Sequence, residues 1–170
     1  MHSLISRSGV IAGDSWRTLQ TAHGDDDLLV TLDEWRQRRA ELVARPVRVG
    51  VRLAPADDPA QVAADLERLA LIAVEFPSMV DGRGYSTARL LRARHGWRGE
   101  LRACGPFTRD ALFQLARCGF DTFELRAGED AQAALAEFTR FDEVYQAAED
   151  RGALFERRAR AVAAQAGAPA

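Results

Sequence analysis

Between residues 81 and 86 the chain reads Asp81-Gly82-Arg83-Gly84-Tyr85-Ser86, an acid, a guanidinium and two glycines in one short loop. An apolar run from Leu71 to Phe76, broken at Pro77, precedes it, and a strongly helical segment, Thr87 to His95, follows. Strand, glycine loop and helix in that order form the unit at which α/β proteins place ligands. Gly82 and Gly84 let a backbone approach a ligand closely or turn through positive φ, and Ser86 can cap the helix, whose first N–H groups favour anions. Arg83 and Arg89 can add two-pronged contacts to a sulfite, sulfate, phosphate or carboxylate. The competing reading is a tight turn in which Asp81 pairs with Arg83 or Arg89 and Tyr85 packs on the sheet. The loop is neither a P-loop nor a GxGxxG fingerprint, so it does not point to a nucleotide.

The elements that must position this loop follow from the pattern around it. Thr31 and Glu34 form a capping box ahead of a helix to about Val43, with Leu32, Trp35 and Leu42 expected inside, and Pro46 ends it. Val47, Val49, Val51 and Leu53 then alternate with Arg48, Gly50, Arg52 and Ala54, the period of a strand with one buried face. Asp57 or Asp58 with Pro59 starts a helix striped by Val62, Leu66 and Leu69. Leu71–Phe76, 99–103 and 121–127 read as further strands; Thr108 heads the third intervening helix and Gly119 closes it. Four strands spaced about 25 residues apart define (βα) repeats on a parallel sheet.

One strand face gathers Val47, Val49, Val51, Leu53, Ile72, Val74, Phe76, Leu101, Ala103, Phe123 and Leu125, and the other gathers Arg48, Arg52, Glu75, Glu100, Arg102, Glu124 and Arg126. Strands sandwiched between helices on both faces are apolar throughout. The charged face therefore lines something else, and the expected fold is α/β: four parallel repeats resembling half a TIM barrel, helices outside and a charged concave face inside. The alternative is a small flavodoxin-like open sheet. Residues 46–128 form the core, 1–45 an N-terminal segment packed on it, and 129–170 two C-terminal helices, through Leu135, Phe138, Phe141, Val144 and Tyr145 and then Leu154, Phe155 and Val162, with a frayed tail. Weak strands are expected over 8–12 and 28–30. Arg52, Glu75, Arg102 and Arg126 are expected at similar places near the carboxyl ends, converging with Arg83. They form either a ladder of cross-strand pairs or a site for an anion or an acidic partner.

Composition removes several classes. With 170 residues and a formal net charge of -2, nothing draws the chain to nucleic acid or an anionic membrane. All 23 basic residues are arginine, which removes lysine Schiff-base chemistry and a Walker lysine. Cys104 and Cys118 lack metal or disulfide spacing, His2, His23 and His95 are scattered, and the Asp25-Asp26-Asp27 run reads as a solvated turn. No metal and no cofactor is expected on this chain. Cys104 beside Arg102 could carry a lowered thiol pKa or be a small buried hydrophobe. No apolar run reaches the roughly 20 residues of a membrane span, MHSLISRSG has no signal-peptide core, and the expected address is the bacterial cytoplasm.

The motifs DGRGYS-x-ARLLR, GELRA and RCGFD-x-FEL, within about residues 45 to 127, resemble the bacterial domain-of-unknown-function family 934. Its genes commonly accompany sulfite reductase and phosphoadenylylsulfate reductase, and members are often labelled oxidoreductases. The chain departs from the family pattern at Cys104, usually valine, and at Pro106-Phe107, usually an aspartate–valine-like pair. The resemblance implies an accessory protein of sulfite reduction with sulfite reductase as partner. Two other readings stand beside it. One is a small enzyme acting on an anionic sulfur or phosphate metabolite, with Arg52, Arg102 and Arg126 clamping it and Glu75 or Asp81 as general base. The other is a homodimer whose charged faces meet.

Overall fold

A computed structural model describes residues 3–139. Eight strands form one sheet in the order β2-β1-β8-β7-β6-β5-β4-β3. They are β1 (Leu4–Ser6), β2 (Gly9–Ile11), β3 (Trp16–Arg17), β4 (Asp27–Thr31), β5 (Val49–Leu53), β6 (Leu71–Glu75), β7 (Glu100–Cys104) and β8 (Thr122–Glu124). Strands β3 to β8 run parallel, and β1 joins β8 and β2 antiparallel. The helices are α1 (Leu32–Ala44), α2 (Arg83–Arg89), α3 (Leu112–Arg117) and α4 (Ala131–Ala136). Between β5 and β6 lies a 3₁₀ segment, Pro59–Arg68, capped by the Asp58 side chain.

From β4 to β8 spatial order equals sequence order. Crossovers of one hand then place every helix on one face, as in a TIM barrel, and there is no switch point of the flavodoxin kind. The expected half-barrel holds and the flavodoxin-like alternative falls. The sequence reading of four repeats missed one: Leu28–Val30 belongs to β4, and β4 with α1 makes a further βα unit. The capping box that starts α1 is present, with Glu34 N–H donating to Thr31 Oγ1 at 3.2 Å and Thr31 N–H to Glu34 Oε2 at 2.8 Å. Leu32, Trp35 and Leu42 are buried as their spacing requires.

The apolar strand face and the helices form one core, running from Val51, Leu53, Ile72, Leu101 and Phe123 on strands to Trp35, Val62, Leu91 and Leu115 on the segments that cover them. Gly119 closes α3 at φ +102, a conformation costly for any residue with a side chain. Of the C-terminal expectations, Leu135 and Phe138 pack against this core. Phe141, Val144, Tyr145, Leu154, Phe155 and Val162 lie outside the described residues, as does His2.

Connectivity shows how far the sheet curls. Strands β2 and β3 are its two edges, seven strand-to-strand steps apart, ~34 Å along the sheet at ~4.8 Å per step. The five links from Ile11 to Trp16 reach at most ~18 Å. A semicircular arc of that length has a chord of ~22 Å, so the sheet is rolled into at least half a barrel. The strap, residues 12–15, crosses its open side.

Candidate functional site

The strap runs from the level of Leu4 and Glu124, where Ile11 ends β2, to the amino end of β4, where Trp16 is level with Asp27. Trp16 is 8% exposed and packs with Leu29, Leu71, Ala73 and Cys104. This apolar island is invisible in the charge alternation alone. Beside it Arg102, 3% exposed, donates to Asp14 Oδ2 at 2.7 Å and to Glu100 Oε1 at 3.0 and 3.2 Å. Burial works against the Arg102 charge, yet Glu100 and Asp14 hold its pKa above the ordinary value. Thr122 Oγ1 adds a third bond to Glu100 Oε1. Arg102 is therefore a fixed internal counter-ion, not a group open to a ligand. At the strand entrances Arg48 pairs with Asp27 and lies over the Trp16 ring at 5.3 Å. That hydrogen bond lowers the Asp27 pKa. Asp26 accepts from His23 N–H at 2.9 Å, so the aspartate run makes a turn and an ion pair.

Strand register separates the four charges expected in one layer. Arg52 pairs in register with Ala73, and Ala73 with Arg102, so the two arginines share a row. Glu75 is level with Cys104, one side-chain layer nearer the carboxyl edge. Arg126 lies beyond the end of β8 and faces Glu129 at 4.0 Å. The four strand charges do not share one layer, because a two-residue offset on one strand face is one full layer. Arg52 has no carboxylate within 4.0 Å among the described residues and is half-buried.

The glycine loop takes the form of the tight turn. Arg83 donates from its backbone N–H and from Nε to Asp81 Oδ1, both at 3.0 Å, and from Nη2 to Asp81 Oδ2 at 2.5 Å. The Arg83 hydrogen bond pulls the Asp81 pKa down to about 2, which leaves this carboxylate a poor general base. The helix starts at Arg83 with Gly82 as its cap residue, so Ser86 lies inside it, exposed, and caps nothing. Gly82 and Gly84 both have ordinary negative-φ backbone. The reason for Gly84 is close approach: a Cβ there would lie 2.5 Å from the Phe76 ring. Tyr85 meets the same ring edge-on at 5.4 Å, and burial raises its pKa. Arg89 is exposed.

Cys104 is the buried hydrophobe of the two readings: 3% exposed, its thiol pushed well above the usual range by burial. Cys118 is buried under α3 and accepts from Gln114 Nε2 at 3.7 Å. Among the described residues no group of three His, Cys, Asp or Glu is placed to hold a metal. No described helix is long and apolar enough to cross a membrane.

What remains open at the carboxyl edge is Arg52, Glu75, Glu124 and Arg126, with a cavity of about 230 Å³ between Gly105, Pro106, Glu124 and Arg126. Beside it the loop after β6 holds Met79 and Val80 in solvent at 62% and 92% exposure. Sequence reading passed over this pair. Its signal was two apolar residues in a loop with no periodic element to bury them.

Fold and site together define a half-barrel (βα) protein with a strapped concave face and a charged carboxyl edge. The family model described as a bacterial protein of unknown function (DUF934) matches residues 50–155, more than half of the chain, and the chain belongs to that family. Neither a curated protein nor a solved structure matches it.

Proposed function

We propose that the chain is an accessory protein of assimilatory sulfite reduction that docks to sulfite reductase through the carboxyl edge of its sheet. One observation carries the docking surface: Met79 and Val80 stand in solvent on a loop that the Asp81–Arg83 clasp holds in one shape. Exposed apolar side chains on a pre-organised loop, on the same carboxyl edge of the sheet as Arg52 and Arg126, match the core and rim of a protein interface. Of the two carboxylates offered as general base, Asp81 is committed to Arg83, and Glu75 stands at the same edge as the surface offered for docking. The sulfur pathway comes from the kinship of the DGRGYS-x-ARLLR motif.

Tagged full-length protein from sulfate-grown cells should retain sulfite reductase, and a double Met79→Asp/Val80→Asp variant should lose it while keeping the wild-type thermal midpoint. If the wild type retains no reductase, the partner is wrong. If the double variant retains it fully, the surface is wrong.

A further inference from the structure

The two amino-edge cavities make a separate site. Arg92 leaves the helix at a π-turn, Leu90–Arg94, that follows α2. There it donates from Nε to Gly119 O (2.9 Å), from Nη1 to Trp97 O (2.9 Å) and Gly99 O (3.0 Å), and from Nη2 to Asp121 Oδ2 (2.6 Å). Its side chain is only 9% exposed. A guanidinium has five N–H donors, so these four bonds leave one, on Nη2, and Arg92 lines a cavity. Arg7, in the turn between β1 and β2, and Arg98, in the loop before β7, complete a cavity of about 230 Å³ with Ala116, Gly119, Phe120 and Asp121. Neither Arg7 nor Arg98 has a carboxylate within 4.0 Å among the described residues. Three guanidinium groups against the single Asp121 carboxylate leave an excess of two positive charges at one small opening.

Arg98 also lines a second cavity, about 650 Å³, walled by Ala63, Ala64, Leu66, Leu69 and Trp97, with Glu67 and His95 at its rim. We propose that the two act as one site for a small organic phosphate or sulfate. Its oxyanion sits among Arg7, Arg92 and Arg98, and its body lies in the larger groove. Arg92 supplies a fixed donor held by the backbone. Arg7 and Arg98 supply the mobile, two-pronged contacts that guanidinium makes to tetrahedral oxyanions. This site is on the opposite edge from the proposed docking surface and stands or falls independently of it.

The probes are inorganic phosphate and glucose 6-phosphate, titrated into full-length protein in chloride buffer while the arginine side-chain N–H resonances are followed by NMR. Both should bind saturably, the sugar phosphate about tenfold more tightly, with shifts at Arg7, Arg92 and Arg98. Arg98→Ala should weaken both by about tenfold, and Arg7→Ala/Arg98→Ala should abolish both. Both arginines are exposed, and an unchanged thermal midpoint verifies the fold. Ala64→Trp, which fills the larger groove from its exposed wall, should weaken glucose 6-phosphate alone. Absence of saturable binding, or binding untouched by the double substitution, overturns the site. Equal affinity for the two probes overturns the placement of an organic body in the groove.

Discussion

The two ends of the sheet use their arginines differently. From the middle of the sheet to the amino edge Arg102, Arg48 and Arg92 each reach a carboxylate far away in sequence: Asp14 at 88 residues, Asp27 at 21 and Asp121 at 29. At the carboxyl edge Arg83 turns back on Asp81 and Arg126 faces Glu129, two and three residues away. A contact between distant segments forms only when the chain is folded and disappears with it. A contact between near neighbours fixes a turn that costs little to close. The amino edge therefore holds the barrel together, and the carboxyl edge presents a shaped surface.

The strongest test of that contrast is Arg92. Arg92→Ala removes four hydrogen bonds, takes the donor from three part-buried carbonyls and leaves Asp121 with the Leu101 N–H alone, a loss of roughly 2–4 kcal/mol in urea unfolding, to which the half-exposed Asp121 adds little. Arg83→Ala, which removes an exposed pair between near neighbours, should move the unfolding midpoint far less. If the two variants unfold alike, the division between the edges is broken. Next in size is Asp14→Ala. Asp14 is 41% exposed on its side chain, so screening trims its contribution to about 1–2 kcal/mol, and Arg102 keeps Glu100. The sharper readout is the strap: tryptic cleavage after Arg17 should accelerate in Asp14→Ala long before global unfolding.

Most of the fold was legible because alternation and capping are local signals. Every residue assigned to the apolar strand face lies in or against the main core, and Thr31, Asp58 and Gly119 stop or start their elements as their chemistry requires. The strap was not legible. Asp14 and Trp16 acquire meaning only from Arg102 and Leu71, and no local pattern announces a partner 88 residues away. Register was lost for a similar reason: each strand showed which residues shared a face, but not how far it slid against its neighbour. That is why Arg52, Glu75 and Arg126 fall in different layers. The Arg92 hub was missed because a π-turn adds one residue to a helix without any compositional mark.

The glycine loop offers a smaller test, within the carboxyl edge. Gly84→Ala drives a methyl group into the Phe76 ring and should cost about 1–3 kcal/mol. At Gly82 nothing lies within 4 Å of an added Cβ and φ is -87°, so Gly82→Ala should fall within about 0.5 kcal/mol of wild type. Two glycines two residues apart thus separate packing from conformational freedom. If both substitutions are neutral, the α2–β6 contact is looser than its geometry says.

The smallest effect concerns Asp81 itself. Its carboxyl is held down to about 2 by hydrogen bonds from Arg83, against an ordinary value of 3.8. A depressed carboxylate favours the folded arrangement above its ordinary pKa, and that contribution is lost as pH falls toward the depressed value. The clasp is therefore complete at neutral pH and opens only between about pH 4 and pH 2. Carboxyl ¹³C NMR should show Asp81 titrating with a midpoint near 2 in the wild type and returning toward 3.8 in Arg83→Ala. Because the pair spans two residues, Arg83→Ala at neutral pH should move backbone shifts only around Met79 to Gly84. Changes spreading to Arg92 or Asp14 would show that the carboxyl edge is coupled to the barrel after all.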